Sequence, residues 1–129
     1  MHRLGLIFAV FLSGALGGCQ TLSAANTTKL ATPLKTSLAA SDIGTGLDDK
    51  TRLLAANTEY RALETGRAGA PVAWKASDRV FGSVTPQQPY SVGTTNCRRY
   101  THSITINGSA RSATATACRS EDGIWTPLT

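Results

Sequence analysis

Residues 95–119 read TNCRRYTHSITINGSARSATATACR, with a cysteine near each end and Asn107-Gly108 in the middle. Asn-Gly between β-forming residues is a strong hairpin signal, because both central residues of a type I′ turn need φ > 0. With Asn107 and Gly108 as the two-residue loop, Ile106 faces Ser109 and Thr105 faces Ala110. The same outward count brings Cys97 opposite Cys118. Ile106 and Ser109 flank the turn as a hydrogen-bonded pair, and pairs alternate from there. Cys97–Cys118 therefore falls on a non-hydrogen-bonded pair, where Cα atoms approach to about 4.5 Å. A disulfide spans roughly 4.4–6.8 Å between Cα atoms. Turn chemistry and cysteine register thus agree on a staple across the hairpin.

A disulfide requires an oxidising compartment, and the N-terminus supplies a route to one. The segment MHRLGLIFAVFLSGALGGCQ opens with His2 and Arg3 and continues through an apolar run from Leu4 to Leu16. That run is too short for a membrane span of about 20 residues and suits a signal-peptide core. It ends in Leu16-Gly17-Gly18-Cys19, which resembles a bacterial lipobox. There the cysteine thiol is lipidated and becomes the first mature residue. Residues 1–18 are expected to be a signal peptide and Cys19 the lipidation site. Gln20 is not the aspartate that such lipoproteins use for inner-membrane retention, which implies the outer membrane. All three cysteines are then assigned, and none remains as a catalytic thiol.

Removal of residues 1–18 from the 129 leaves 111, enough for one small domain. The formal net charge of +5 falls to about +4 without Arg3. A mildly basic envelope protein can meet anionic lipid, lipopolysaccharide or peptidoglycan, and nucleic acid is not expected as a partner there. With few aromatic residues the core is small. Closing a loop of about 22 residues contributes roughly 3 kcal/mol in the chain-entropy picture.

Residues 19–45 are rich in Ser, Thr and Ala and read as the lipidated cysteine and a flexible tether. Leu30, Leu34 and Leu38 recur every four residues, which allows a weak helix, but Pro33 sits inside that pattern. The clearest helix spans about 48–65. Asp48 caps it, Asp49 favours its dipole, and Leu53, Ala56, Tyr60 and Leu63 form an apolar stripe. Gly66 is the expected C-terminal stop. From residue 70 the pattern changes to short strands around Val72–Lys75, Val80–Val84, Tyr90–Val92, the long hairpin and Ile124–Leu128. The expected fold is α+β: one N-terminal helix packed on a small antiparallel sheet of five or six strands, pinned by one disulfide, over residues 46–129.

The hairpin has two unequal faces. Tyr100, His102, Ile104 and Ile106 line one, with Ala113, Ala115 and Ala117 opposite, leaving room for a helix or for Trp74 and Trp125. Cys97, Arg99, Thr101, Ser103 and Thr105 line the other, which is polar and is expected to carry the staple on the more solvated side. His102 reads as a packed residue rather than a base. No metal-ligand spacing, nucleophile elbow or phosphate loop occurs, so neither an enzyme nor a cofactor is expected.

The segments GLDDKTRLLAANTEYRALETGRAGAPVAW, GSVTPQQPY, CRRYTHSITINGSAR and ACRSEDGIWTPL together resemble the C-terminal domain of the bacterial surface-antigen lipoproteins. That family includes the rickettsial seventeen-kilodalton surface antigen and alphaproteobacterial relatives. The resemblance covers about residues 46–129. It implies an outer-membrane lipoprotein with a small α+β domain and no established enzymatic activity. Many members carry a glycine-zipper segment ahead of this domain, and here the Ser/Thr/Ala stretch stands in its place. Three functions fit: a structural or interaction lipoprotein of the envelope; a binding module for an anionic envelope ligand through the candidate anion-binding residues Arg98, Arg99, Arg111 and Arg119; and an inhibitor of a lysozyme-type hydrolase.

Overall fold

Asn107 and Gly108 take φ of 50° and 81°, the left-handed pair that a type I′ turn requires. The computed structural model describes residues 24–128; the expected signal peptide and Cys19 lie outside them. Strand β4 (Thr95–Ile106) runs into the turn and β5 (Ser109–Arg119) leaves it. Their antiparallel register is unbroken from Ile106↔Ser109 to Asn96↔Arg119 and contains Cys97↔Cys118. The two cysteines are disulfide-bonded with Cα atoms 4.0 Å apart, as a close, non-hydrogen-bonded pair allows.

Four shorter strands complete an antiparallel sheet: β1 (Val72–Lys75), β2 (Val80–Pro86), β3 (Tyr90–Val92) and β6 (Trp125–Pro127). The order is β1-β2-β4-β5-β6, and β3 pairs with the start of β4, following β2 along the same side. β4 is thus central. This explains one departure from the expected pattern. The disulfide is on the face away from the helices, yet Cys97 is fully buried. It lies in a cross-strand row between Tyr90 on β3 and Thr126 on β6, next to Cys118, so neighbouring strands cover it on both sides.

The α+β class stands, but the described residues form three helices rather than one: α2 and α3 pack on the sheet, and α1 packs on α2 and α3. α1 (Ala24–Leu30) and α2 (Thr32–Ala40) occupy the stretch read as tether, followed by a 3-10 turn at Asp42–Gly44. Ala31, Leu34, Leu38 and Ile43 belong to the hydrophobic core, so the packed unit begins well before residue 46. The helical stretch is divided at Ala31, just ahead of Pro33, and Pro33 lies inside the second helix without ending it. It sits in the first turn of α2, where its missing amide removes no intrahelical bond.

α3 (Asp49–Thr65) matches its expected position, and the Asp48 side chain accepts from the Thr51 amide as its N-cap. It packs on α2 and on β1, β2 and β4. A helix held on two sides needs a wider buried arc than a single stripe. Ala55, Ala62, Thr58 and Glu59 are buried beside Ala56, Tyr60 and Leu63, while Leu53 is only partly covered. Gly66 ends the helix for a different reason from the one its residue type suggests. Its φ is −67°, so no left-handed cap forms. A Cβ there would lie 2.4 Å from the Ala62 carbonyl oxygen and 2.9 Å from Pro86 Cγ, and only glycine lets the chain turn so close to β2.

Candidate functional site

Alternation along β4 sends Arg98, Tyr100, His102 and Ile104 towards the helices, and three polar assemblies result. The deepest joins α3, β4 and β1. His102 is 1% exposed and Glu59 is 2% exposed. Trp74 Nε1 donates to His102 Nε2 at 2.8 Å, and His102 Nδ1 lies 2.7 Å from Glu59 Oε1. An indole N–H only donates, so Nε2 accepts. The imidazole is then the neutral tautomer with its proton on Nδ1, donated to Glu59. Gly82 admits this arrangement: a Cβ there would lie 2.7 Å from Trp74 Cε2. Without one, the indole lies across β2 and meets the His102 ring edge-on at 5.9 Å between centroids.

Burial raises the pKa of Glu59, against the opposing hydrogen bond from His102. Its Oε2 is buried with no hydrogen-bond partner, which disfavours the anion. Burial, with Glu59 nearby, also pushes the Tyr100 phenol far up. A cavity of about 60 Å³ between α2 and the sheet touches Glu59, Tyr100, His102, Ser37 and Ser41, room enough for ordered water. Because both ring nitrogens of His102 are engaged by the protein, the assembly holds elements together and presents no free imidazole nitrogen.

Arg98 forms the second assembly. It is 4% exposed. Its Nη1 donates to the carbonyls of Ala62 and Leu63 at 3.2 and 2.9 Å, and its Nε donates to Gln87 at 2.9 Å. A cation here bonds the Leu63 carbonyl in the last turn of α3, shares the Ala62 carbonyl with the Gly66 amide and complements the helix dipole. Burial lowers its pKa.

The third lies near the disulfide. Arg119 binds Glu64 through two parallel bonds of 2.9 and 3.0 Å, and Trp125 Nε1 donates to the same carboxylate at 2.7 Å. Burial raises the Glu64 pKa, but the hydrogen bonds from Arg119 and Trp125 outweigh it, and the net shift is downward.

The four candidate anion-binding arginines are therefore not gathered. Arg98 and Arg119 are committed to α3, and Arg111 Nη1 donates to the Asp42 carbonyl at 2.8 Å. Arg99 alone is exposed on the opposite sheet face, with no side-chain partner among the described residues. Sequence reading missed the clamp role of Arg98 and the Glu59–His102–Trp74 link. The signal available was Arg98 in phase with Tyr100 and Ile104 on the apolar face, and Glu59 next to Tyr60 within the helix.

The outward face is built differently. The Thr101 and Thr114 hydroxyls are 3.0 Å apart and those of Ser103 and Ser112 are 3.2 Å apart across β4 and β5. β2 extends both rows with Thr85 and Ser83. None of the six strands contains Asp or Glu. Among the described residues no group of three or more His, Cys, Asp or Glu side chains is placed to hold a metal. Among them, too, no helix is long and apolar enough to cross a membrane.

A small α+β domain with a disulfide-stapled hairpin and a helix-clamping arginine is the class this geometry defines. The family model described as 17 kDa outer membrane surface antigen matches residues 61–126, just over half of the chain. The chain belongs to that family. The 17 kDa surface antigen of Rickettsia bellii (strain RML369-C) is 41% identical over 85 residues, covering 64% of this chain and 54% of that protein. Those of Rickettsia conorii and Rickettsia felis are 42% and 40% identical over 82 residues, covering 62% of this chain and 52% of each. The chain thus spans about half the length of the curated relatives it matches. No solved structure matches.

Proposed function

We propose that this surface-antigen domain is carried by an outer-membrane lipoprotein, anchored through acyl chains on Cys19, with a structural or interaction role in the cell envelope. The observation that carries the reading is Leu16-Gly17-Gly18-Cys19 at the end of an apolar core of signal-peptide length. The family description as an outer membrane surface antigen supports the location, and the Cys97–Cys118 disulfide fits an oxidising compartment. On this reading the anchor meets outer-membrane lipid, and the domain faces envelope proteins, peptidoglycan or lipopolysaccharide. Labelling cells with radioactive palmitate tests it. The wild type is expected to label and to pellet with membranes, whereas Cys19→Ala loses both properties; a variant that still labels and pellets removes the lipidation site from Cys19.

A second reading is a binding module for an anionic envelope ligand. It is favoured by the sheet itself, whose strands carry arginines and one lysine and no acidic side chain.

A further inference from the structure

We propose that the outward face of the sheet is a docking surface for the glycan strands of peptidoglycan, with Arg99, not Arg98, Arg111 or Arg119, as its anion contact. This rests on the anionic-ligand reading above and gives it a site. In each hydroxyl pair, Thr101–Thr114 and Ser103–Ser112, one hydroxyl donates to the other. The accepting hydroxyl keeps its own proton free, and both keep acceptor capacity. Every rung therefore offers a donor and acceptors at a fixed height, the pattern that sugar hydroxyls and N-acetyl amides match. Successive rungs are two residues apart, so the face from Arg99 to Thr105 runs about 20 Å along β4, long enough for several sugar rings.

The two ends of the platform add distinct chemistry. Phe81 pairs with Thr105 and is 41% exposed, and its ring offers an apolar surface to the C–H face of a sugar. Arg99 pairs with Thr116 at the other end and is exposed without a side-chain partner among the described residues, ready for a carboxylate of the stem peptide. Lys75 at the β1 edge is held by Asp78 at 2.7 Å. With no acid in the strands, nothing on them repels an anionic polymer. Lipopolysaccharide fits less well: its clustered phosphates call for clustered cations and its acyl chains for an apolar groove, while these rows are flat, hydroxylated and carry one unpaired arginine.

Co-sedimentation of the purified full chain in detergent with isolated peptidoglycan sacculi tests the proposal, with lipopolysaccharide vesicles as a second arm. The wild type is expected to pellet with sacculi. Arg99→Glu should weaken that binding by about tenfold, as expected for losing one charge-assisted contact, and Ser103→Glu with Thr114→Glu should abolish it. Lys50→Glu, the same charge change on exposed α3, should bind as the wild type does. Circular dichroism checks that each variant is folded; Phe81→Ala and Arg99→Glu alter exposed groups and carry the test if the double variant does not fold. The proposal is overturned by a wild type that stays in the supernatant, by sedimentation with lipopolysaccharide alone, or by equal loss in Lys50→Glu and Arg99→Glu. A wild-type dimer that the double variant dissociates would assign the face to a second copy and overturn it as well. Palmitate labelling at Cys19 is a separate readout, so failure of the anchor and failure of the docking surface are told apart.

Discussion

Nδ1 of His102 lies 2.7 Å from Oε1 of Glu59, a buried contact between residues 43 apart in sequence that ties α3 to the central strand of the sheet. The same ring accepts from Trp74 on β1, so one imidazole joins three elements. Removing a member leaves a buried polar group unpaired, which costs about 1–3 kcal/mol. Glu59→Ala strands the Nδ1 proton, and a loss of that size is expected in urea unfolding at neutral pH.

Glu59 also sets a pH dependence. Its folded pKa is raised by burial, above an unfolded value of about 4.3. Such a group leaves stability intact below the unfolded pKa and reduces it as pH rises towards and through the folded pKa. Glu59→Gln keeps an acceptor for His102 and removes the titration. The stability of the wild type relative to Glu59→Gln should therefore fall steadily as pH is raised from about 4. A difference that stays flat with pH would count against a buried carboxyl with a raised pKa.

Arg98 closes the end of α3 by donating to three carbonyls. Arg98→Met keeps the aliphatic volume; the Ala62 carbonyl retains the Gly66 amide, while the carbonyls of Leu63 and Gln87 lose the guanidinium, at a cost of about 3 kcal/mol. Arg98→Lys should recover only part of it, because an ammonium does not reproduce the planar fork of donors. Thermal unfolding of the three proteins gives the order wild type, lysine, methionine.

Gly82 has the Trp74 indole where a side chain would be. Gly82→Ala should displace the ring from His102, destabilising the fold by about 1–3 kcal/mol and shifting Trp74 fluorescence. A Trp74→Phe background should relieve only part of the effect, because the new Cβ would still lie 2.5 Å from the Ser103 carbonyl oxygen.

The staple is measured directly. Mapping under non-reducing conditions should yield a Cys97–Cys118 linked peptide pair. Cys97→Ser with Cys118→Ser should lower the unfolding free energy by roughly 2–4 kcal/mol. Free alkylation of both thiols in protein taken from the envelope would contradict the bond.

Much of this fold was legible because its signals are local. Asn107-Gly108 dictates the turn through φ, period-two alternation gives the register, and the register alone brings Cys97 to Cys118. Asp48 and the periodicity after it fix α3 in the same way. Other features depend on what each face meets. Leu34 and Leu38 were visible as a repeat, but their burial required α3 and the sheet to be in place to receive them. Pro33 reads as a breaker or an initiator according to which amides are already free, and only the folded chain settles that choice. The roles of the arginines were the least legible, since charge is a property of the residue and partnership a property of position. Arg98 and Arg99 are adjacent and chemically identical; alternation sends one under α3 to satisfy helix carbonyls and leaves the other in water. Sequence determined the hairpin, its staple and the main helix, where the physics acts between near neighbours. Tertiary structure decided which polar groups became bonds and which stayed open to a partner, because desolvation is set by the elements that close over them.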